Sequence, residues 1–138
     1  MNYVVDASVA VKWYVPEIFE SEASRLLSAD HRLHVPELHL PEFANIIWKK
    51  VRRGELTSDE GDEIIDANLR RKWTIHDHRP ILKPAYLGAV ATGQTVYDWI
   101  YLALAVSLDC QMITADEKFY RALEGTGLVK NLKWIGGL

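Results

Sequence analysis

The sequence predicts an α/β fold: a central, mainly parallel sheet with helices on both faces, a three-layer α/β/α arrangement. Three observations lead there. Short β-favouring runs alternate with longer stretches of helical periodicity along nearly the whole chain. One helical stretch, 96–108, is apolar nearly all round, as expected of a helix packed on both sides. Four acidic residues, Asp6, Glu42, Asp98 and Asp116, stand where the chain changes direction between such elements.

The elements follow in order. Tyr3-Val4-Val5 is a β-favouring run that ends at Asp6. Residues 17–28 carry Ile18, Phe19, Ala23, Leu26 and Leu27 at helical spacing. Leu33-His34-Val35 reads as a second strand, stopped by Pro36. From about 38 to 53 the pattern is helical, with Phe43, Ile46, Ile47 and Val51 on one side and Gly54 as its end. Thr57 or Ser58 caps the next helix, which turns Ile64, Ile65 and Leu69 inward. Residues 73–76 form a strand, and 81–91 a helix ended by Gly93. Thr95 opens the apolar helix 96–108. Residues 111–114 are a strand, 116–123 a short helix and 133–135 a final strand. No repeat, low-complexity tract or linker interrupts the series, so residues 1–138 form a single domain.

Bulk properties narrow the class. A chain of 138 residues, 49% hydrophobic and 25% charged, has the make-up of a globular domain with a real core. No run of roughly 18 apolar residues is present, so no membrane span is expected. The start lacks a basic, apolar leader pattern, and the single cysteine, Cys110, rules out an internal disulfide. Both fit a cytoplasmic protein; Cys110 reads as core packing. The net charge of −3 becomes +1 once the four acids are set aside. Basic residues bunch at Lys49, Lys50, Arg52 and Arg53 and again at Arg70, Arg71 and Lys72. Both clusters close helices, where they complement the helix dipole in solvent or contact a polyanion.

Carboxylates beside core segments are costly to desolvate unless a counter-charge is supplied. Each acid has a local alternative. Asp6 and Asp116 could cap turns, Glu42 could be a first-turn acid after Pro41, and Thr95 with Asp98 has capping-box spacing. Together, however, strand ends and helix starts bring all four to one edge of a parallel sheet, where ligands bind. Such a set suits Mg²⁺ or Mn²⁺, hard cations that choose carboxylate oxygen and water. Bound there, they activate water and neutralise a phosphodiester, so no nucleophilic side chain is required.

Other templates are missing. The chain has no Gly-x-x-x-x-Gly-Lys loop, no Gly-x-Gly-x-x-Gly after the first strand and no Gly-x-Ser-x-Gly elbow. Ser8 stands where an aspartyl-phosphate enzyme would have a second Asp. His31, His34 and His39 lack ligand spacing, and His76 and His78 read as a solvated strand end.

The stretch from Val4 to Trp13 resembles the opening of PIN-domain nucleases, above all the VapC toxins of bacterial and archaeal toxin–antitoxin pairs. Pro41-Glu42-Phe43-Ala44-Asn45 is similar to their second motif, the stretch from Tyr97 to Ala105 to the third, and the stretch from Thr114 to Phe119 to the fourth. The motifs keep the family's order, and the resemblance spans nearly the whole chain. It implies that Asp6, Glu42, Asp98 and Asp116 bind Mg²⁺ or Mn²⁺ and carry catalysis. It further implies that Asn45, one helical turn from Glu42, orients a carboxylate. Ser8 and Thr114 would support the acids by their hydroxyls, and Lys12 would meet a phosphate or a carboxylate. The implied activity is an endoribonuclease that cuts tRNA or rRNA and inhibits translation. The implied partners are a second copy of the chain and a VapB-like antitoxin. Two readings stand beside it: a non-catalytic interaction module on the same fold, and a nuclease of RNA or DNA processing that is not a toxin.

Overall fold

A computed structural model describes residues Met1–Leu138. In chain order the elements are β1 (Asn2–Val5), α1 (Ala7–Ala10), α2 (Glu20–Ser24), β2 (Arg32–Pro36), α3 (His39–Arg52), α4 (Ser58–Arg70), β3 (Thr74–His76), α5 (Arg79–Thr92), α6 (Val96–Ser107), β4 (Gln111–Thr114), α7 (Glu117–Leu123) and β5 (Leu132–Trp134). Short 3-10 turns follow α1 and α2 and flank β5.

The sheet has five strands in the order β3-β2-β1-β4-β5, and every pair is parallel. The chain lays down strands outward from β1 on one side, then returns to the other side for β4 and β5. The reversal lies between β1 and β4, where Val5 pairs with Ile113. The crevice beyond the carboxyl ends of these two strands is where an open α/β sheet receives a ligand.

Side-chain alternation builds a core on each face. Val4 and Met112 point toward α5, α6 and α7, meeting Ile81, Ala85, Phe119, Leu123 and the run from Trp99 to Ala105. Tyr3, Val5 and Ile113 point the other way, onto Val9, Val11, Leu26, Phe43 and Ile47. The helix expected to be packed on both sides is: α6 is buried without a break from Trp99 to Ala105. Helices α5 and α6 approach so closely that a Cβ on Gly88 would lie 2.4 Å from the Trp99 ring. Trp99 is held there by its indole N–H, which donates to Thr92 Oγ1 at 2.8 Å.

Helix termini follow local chemistry. Thr57 and Glu60 form a full capping box, with bonds of 2.8 and 3.1 Å between each backbone N–H and the other's side chain. Gly93 ends α5 in the left-handed conformation, at φ 73°.

Three expectations are corrected, and one element was not anticipated. The helix expected over 17–28 is broken: only Glu20–Ser24 is α-helical, and Phe19 takes φ 67°. Its apolar residues serve different partners, with Phe19 edge-on to Trp134, Ala23 and Leu26 in the core, and Ile18 in solvent. A helix turn, α1, starts directly after Asp6, because Ala7, Val9 and Ala10 are all buried against the sheet. Leu69 is exposed rather than inward; the buried residue at that end of α4 is Asn68. His76 and His78 are half-buried and partnered rather than a solvated strand end. His34 Nδ1 lies 2.9 Å from His76 Nε2, and the Leu38 N–H donates to His78 Nε2 at 2.8 Å.

Candidate active site

One hollow of about 290 Å³ is lined by Asp6, Ser8, Glu42, Asn45, Ile46, Lys49, Asp98 and Asp116. All four acids anticipated from the sequence therefore meet in one place. Asp6 arrives at the carboxyl end of β1 and Asp116 just beyond β4; Glu42 and Asp98 come from the first turns of α3 and α6.

Asp6 is the deepest of the four, 7% exposed. Its side chain makes no cap for α1. Instead its Oδ2 accepts from Ser8 Oγ and Thr114 Oγ1, each at 3.1 Å. Burial, then the charges of Glu42 and Asp98, push its pKa up to about 7, against the pull of the two hydroxyls. Thr114 Oγ1 also accepts from the Asp116 N–H at 3.0 Å. One buried hydroxyl thus fixes the two acids on neighbouring strands.

Glu42 accepts at Oε1 from the Tyr101 hydroxyl at 2.7 Å. Burial raises its pKa and the charge of Asp98 adds to that, while the tyrosine bond opposes both. The phenol itself is pushed well above its ordinary value by burial and by Asp6 and Glu42, so it remains a donor. Asp98 sits half-buried; its backbone N–H donates to Thr95 Oγ1 at 3.2 Å. Burial, then Asp116, raises the Asp98 pKa. Asp116 does cap its helix, accepting from the Phe119 N–H at Oδ1 over 3.1 Å. The bond uses one carboxylate oxygen.

Two supporting residues differ from expectation. Asn45 lines the hollow one turn after Glu42, but its amide bonds none of the carboxylates. Lys12 lies outside the hollow, buried, with Nζ 3.2 Å from Glu17 Oε1. Of its two expected partners it has the carboxylate. The residue that sequence reasoning passed over is Tyr101. Its signal was present: a hydroxyl three residues after Asp98, hence on the same face of an otherwise apolar helix. The basic run Arg70, Arg71 and Lys72 lines a larger depression, about 780 Å³, at the amino-terminal edge of β2 and β3. None of the four acids reaches it, so volume and acid chemistry point to different places; the chemistry identifies the hollow beyond β1 and β4.

The acidic hollow fits a hard divalent cation. Its donors are carboxylate and hydroxyl oxygens, three of the four acids carry raised pKa values, and none of the six ion pairs in the molecule involves them. As placed, no three of the acids close round a single ion. A hard cation that keeps several of its waters needs only one or two carboxylates directly.

The fold agrees with that of known proteins. Residues 3–124 match the PIN domain family. The chain is 36% identical to ribonuclease VapC3 of Pyrobaculum aerophilum over 86% of its own length and 92% of the relative's. Its backbone superposes on VapC20 of Mycobacterium tuberculosis, described as a sarcin–ricin loop cleaving toxin, with TM-score 0.66 and 15% identity, covering 87% of this chain and 94% of that one. A toxin–antitoxin complex from Klebsiella pneumoniae gives TM-score 0.62 at 11% identity, covering 95% of each chain. At those identities the two solved structures speak for the fold alone, while the family match and the VapC3 relative decide the lineage. The chain belongs to the PIN domain family, among the VapC ribonucleases.

Proposed function

We propose that this protein is a Mg²⁺- or Mn²⁺-dependent endoribonuclease, the toxin of a type II toxin–antitoxin pair, cutting tRNA or rRNA and so stopping translation. The observation that carries the metal-dependent reading is the hollow beyond β1 and β4: four carboxylates from four elements, one buried and three half-buried, gathered together with none of them in an ion pair. Asp6, Glu42, Asp98 and Asp116 would hold the cation. When bound, it would neutralise the scissile phosphodiester and lower the pKa of the attacking water.

The protein's own residues prepare that site. Ser8 and Thr114 hold the Asp6 carboxylate in one orientation from two sides. Tyr101 does the same for Glu42. Capping leaves Asp116 one oxygen to turn toward the hollow. These bonds offset part of the desolvation and repulsion, and a bound cation would offset more of it.

The proposed partners are a VapB-like antitoxin, consistent with the VapC relatives, and a second copy of the chain. Leu82, Tyr86 and Val90 on α5 and Tyr97 on α6 expose an apolar face that a second copy would cover. No helix is long and apolar enough to cross a membrane, and the proposed place of action is the cytoplasm.

The test is cleavage of a total tRNA and rRNA pool by the purified protein in Mg²⁺, in Mn²⁺ and in EDTA, beside Asp98→Asn. Discrete fragments that need metal and vanish in the variant are expected. Equal cutting by Asp98→Asn, or cutting undiminished in EDTA, overturns the assignment.

A further inference from the structure

The acidic hollow does not end at its acids. It shares Ser8, Ile46 and Lys49 with a second hollow of about 320 Å³, so the two form one trough. The second part is lined by Lys12, Lys49, Lys50 and Arg53 and holds a single carboxylate, Glu17. An excess of cations begins where the excess of acids stops, and Lys49 faces both.

Glu17 has an unusual setting. Its two oxygens are divided between two lysines: Oε1 lies 3.2 Å from Lys12 Nζ and Oε2 lies 2.8 Å from Lys50 Nζ. Lys12 is only 8% exposed, and Glu17 is the one acid paired with it. A buried ammonium requires an anion beside it. Glu17 is not anchored in a helix; it stands in the turn between Pro16 and α2, next to the left-handed Phe19. An anion-shaped place is therefore filled by a side chain on a short irregular segment.

We propose that this basic end of the trough binds the phosphate next to the scissile one in a nucleic-acid strand, and that Glu17 occupies the place in the free protein as that phosphate's surrogate. The two non-bridging oxygens of a phosphodiester divide between Lys12 and Lys50 as the carboxylate does, and the unpaired Lys49 supplies charge that Glu17 leaves uncompensated, while Lys50 and Arg53 also contact Glu55 at 3.7 and 3.8 Å. Strand entry displaces Glu17 toward solvent. The proposal rests on the nuclease reading, since continuity with the cutting hollow is what selects a nucleic-acid strand as occupant.

The test measures binding of a short fluorescent 2′-O-methyl RNA, which resists cleavage, to the full-length protein in Mg²⁺ on an Asp98→Asn background. Lys49→Ala and Lys50→Ala are each expected to weaken binding about tenfold and to lower the salt slope by about one. Glu17→Gln is expected to tighten binding several-fold, by removing the competing charge while keeping the side chain's shape. Arg70→Ala and Lys72→Ala, in the remote basic cluster, serve as charge-matched controls and should leave binding unchanged. Equal losses at both clusters, or weaker binding by Glu17→Gln, overturn the proposal. If Glu17→Gln does not fold, the exposed Lys49, which makes no ion pair, carries the test alone. Wild-type protein that cuts RNA while the lysine variants bind normally sinks the subsite and leaves the nuclease. Lysine-dependent binding by a protein that never cuts keeps the subsite and sinks the nuclease.

Discussion

The hydroxyl of Tyr101 on α6 donates to Glu42 Oε1 on α3 across 2.7 Å, tying together two helices that lie on opposite faces of the sheet. Both start at the acidic hollow, so the bond sets how far apart their acids stand. Tyr101→Phe keeps the ring in its buried place and removes only the donor. We expect a stability loss of about 1 kcal/mol, since a half-buried carboxylate loses one partner. The donor now opposes the rise in the Glu42 pKa. Its loss should move the acidic limb of the pH–rate profile to higher pH. An unchanged profile would mean that Glu42 takes no part in the titration that governs activity.

Asp6 makes the metal-free protein sensitive to pH. Its pKa is about 7 when folded against an ordinary 3.8, so between those values the folded state holds more protons than the unfolded one. Stability in EDTA should therefore fall as pH rises from about 4 to about 7 and level off above, by on the order of a few kcal/mol. Asp6→Asn cannot ionise and should flatten that slope, leaving the variant more stable than wild type at neutral pH. Urea unfolding in EDTA at several pH values measures both. A wild-type curve that rises over this window would contradict the burial and crowding assigned to Asp6.

Gly88 guards the distance between α5 and α6. A methyl there would meet the Trp99 ring at 2.4 Å, and Trp99 follows Asp98 directly. Gly88→Ala gains about 1 kcal/mol of helix propensity and loses roughly 1–3 kcal/mol to overpacking. The expected net result is a lower urea midpoint. Cleavage should fall further than stability does, because a displaced Trp99 carries the Asp98 backbone with it. A variant with wild-type midpoint and activity would show that the two helices part without cost.

The sequence made most of this site readable, and the reason lies in what each residue does locally. Asp6 and Asp116 end runs of alternating or continuous apolar residues, so their place at a strand end is encoded within a few positions. Glu42 and Asp98 begin strongly patterned helices. The strand order, with β1 between β2 and β4, brings the four acids to one hollow. The misread segment, 17–28, is patterned for two different partners, and a single periodicity cannot serve both. Lys12 with Glu17, and Tyr101 with Glu42, are contacts between side chains whose meaning depends on the other member. Tyr101 and Glu42 are 59 positions apart, and no local pattern in either element announces the other.

Asp116 separates a capping role from a metal role within one side chain. Its Oδ1 accepts from the Phe119 N–H at 3.1 Å, and asparagine caps a helix about as well as aspartate. Asp116→Asn should therefore melt in EDTA close to wild type. Ligand binding stabilises a fold by RT ln(1 + [L]/Kd), about 2.7 kcal/mol at a hundredfold excess over Kd. Wild type should show a gain of that kind as Mn²⁺ is added, and Asp116→Asn should lose most of it, with its cleavage falling in parallel. Asp98→Asn should behave likewise, since the bond from the Asp98 backbone N–H to Thr95 Oγ1 does not depend on the carboxylate. Thermal melts across a Mn²⁺ series decide the point. Equal gains in wild type and both variants would place the ion elsewhere and return Asp116 to the role of a helix cap alone.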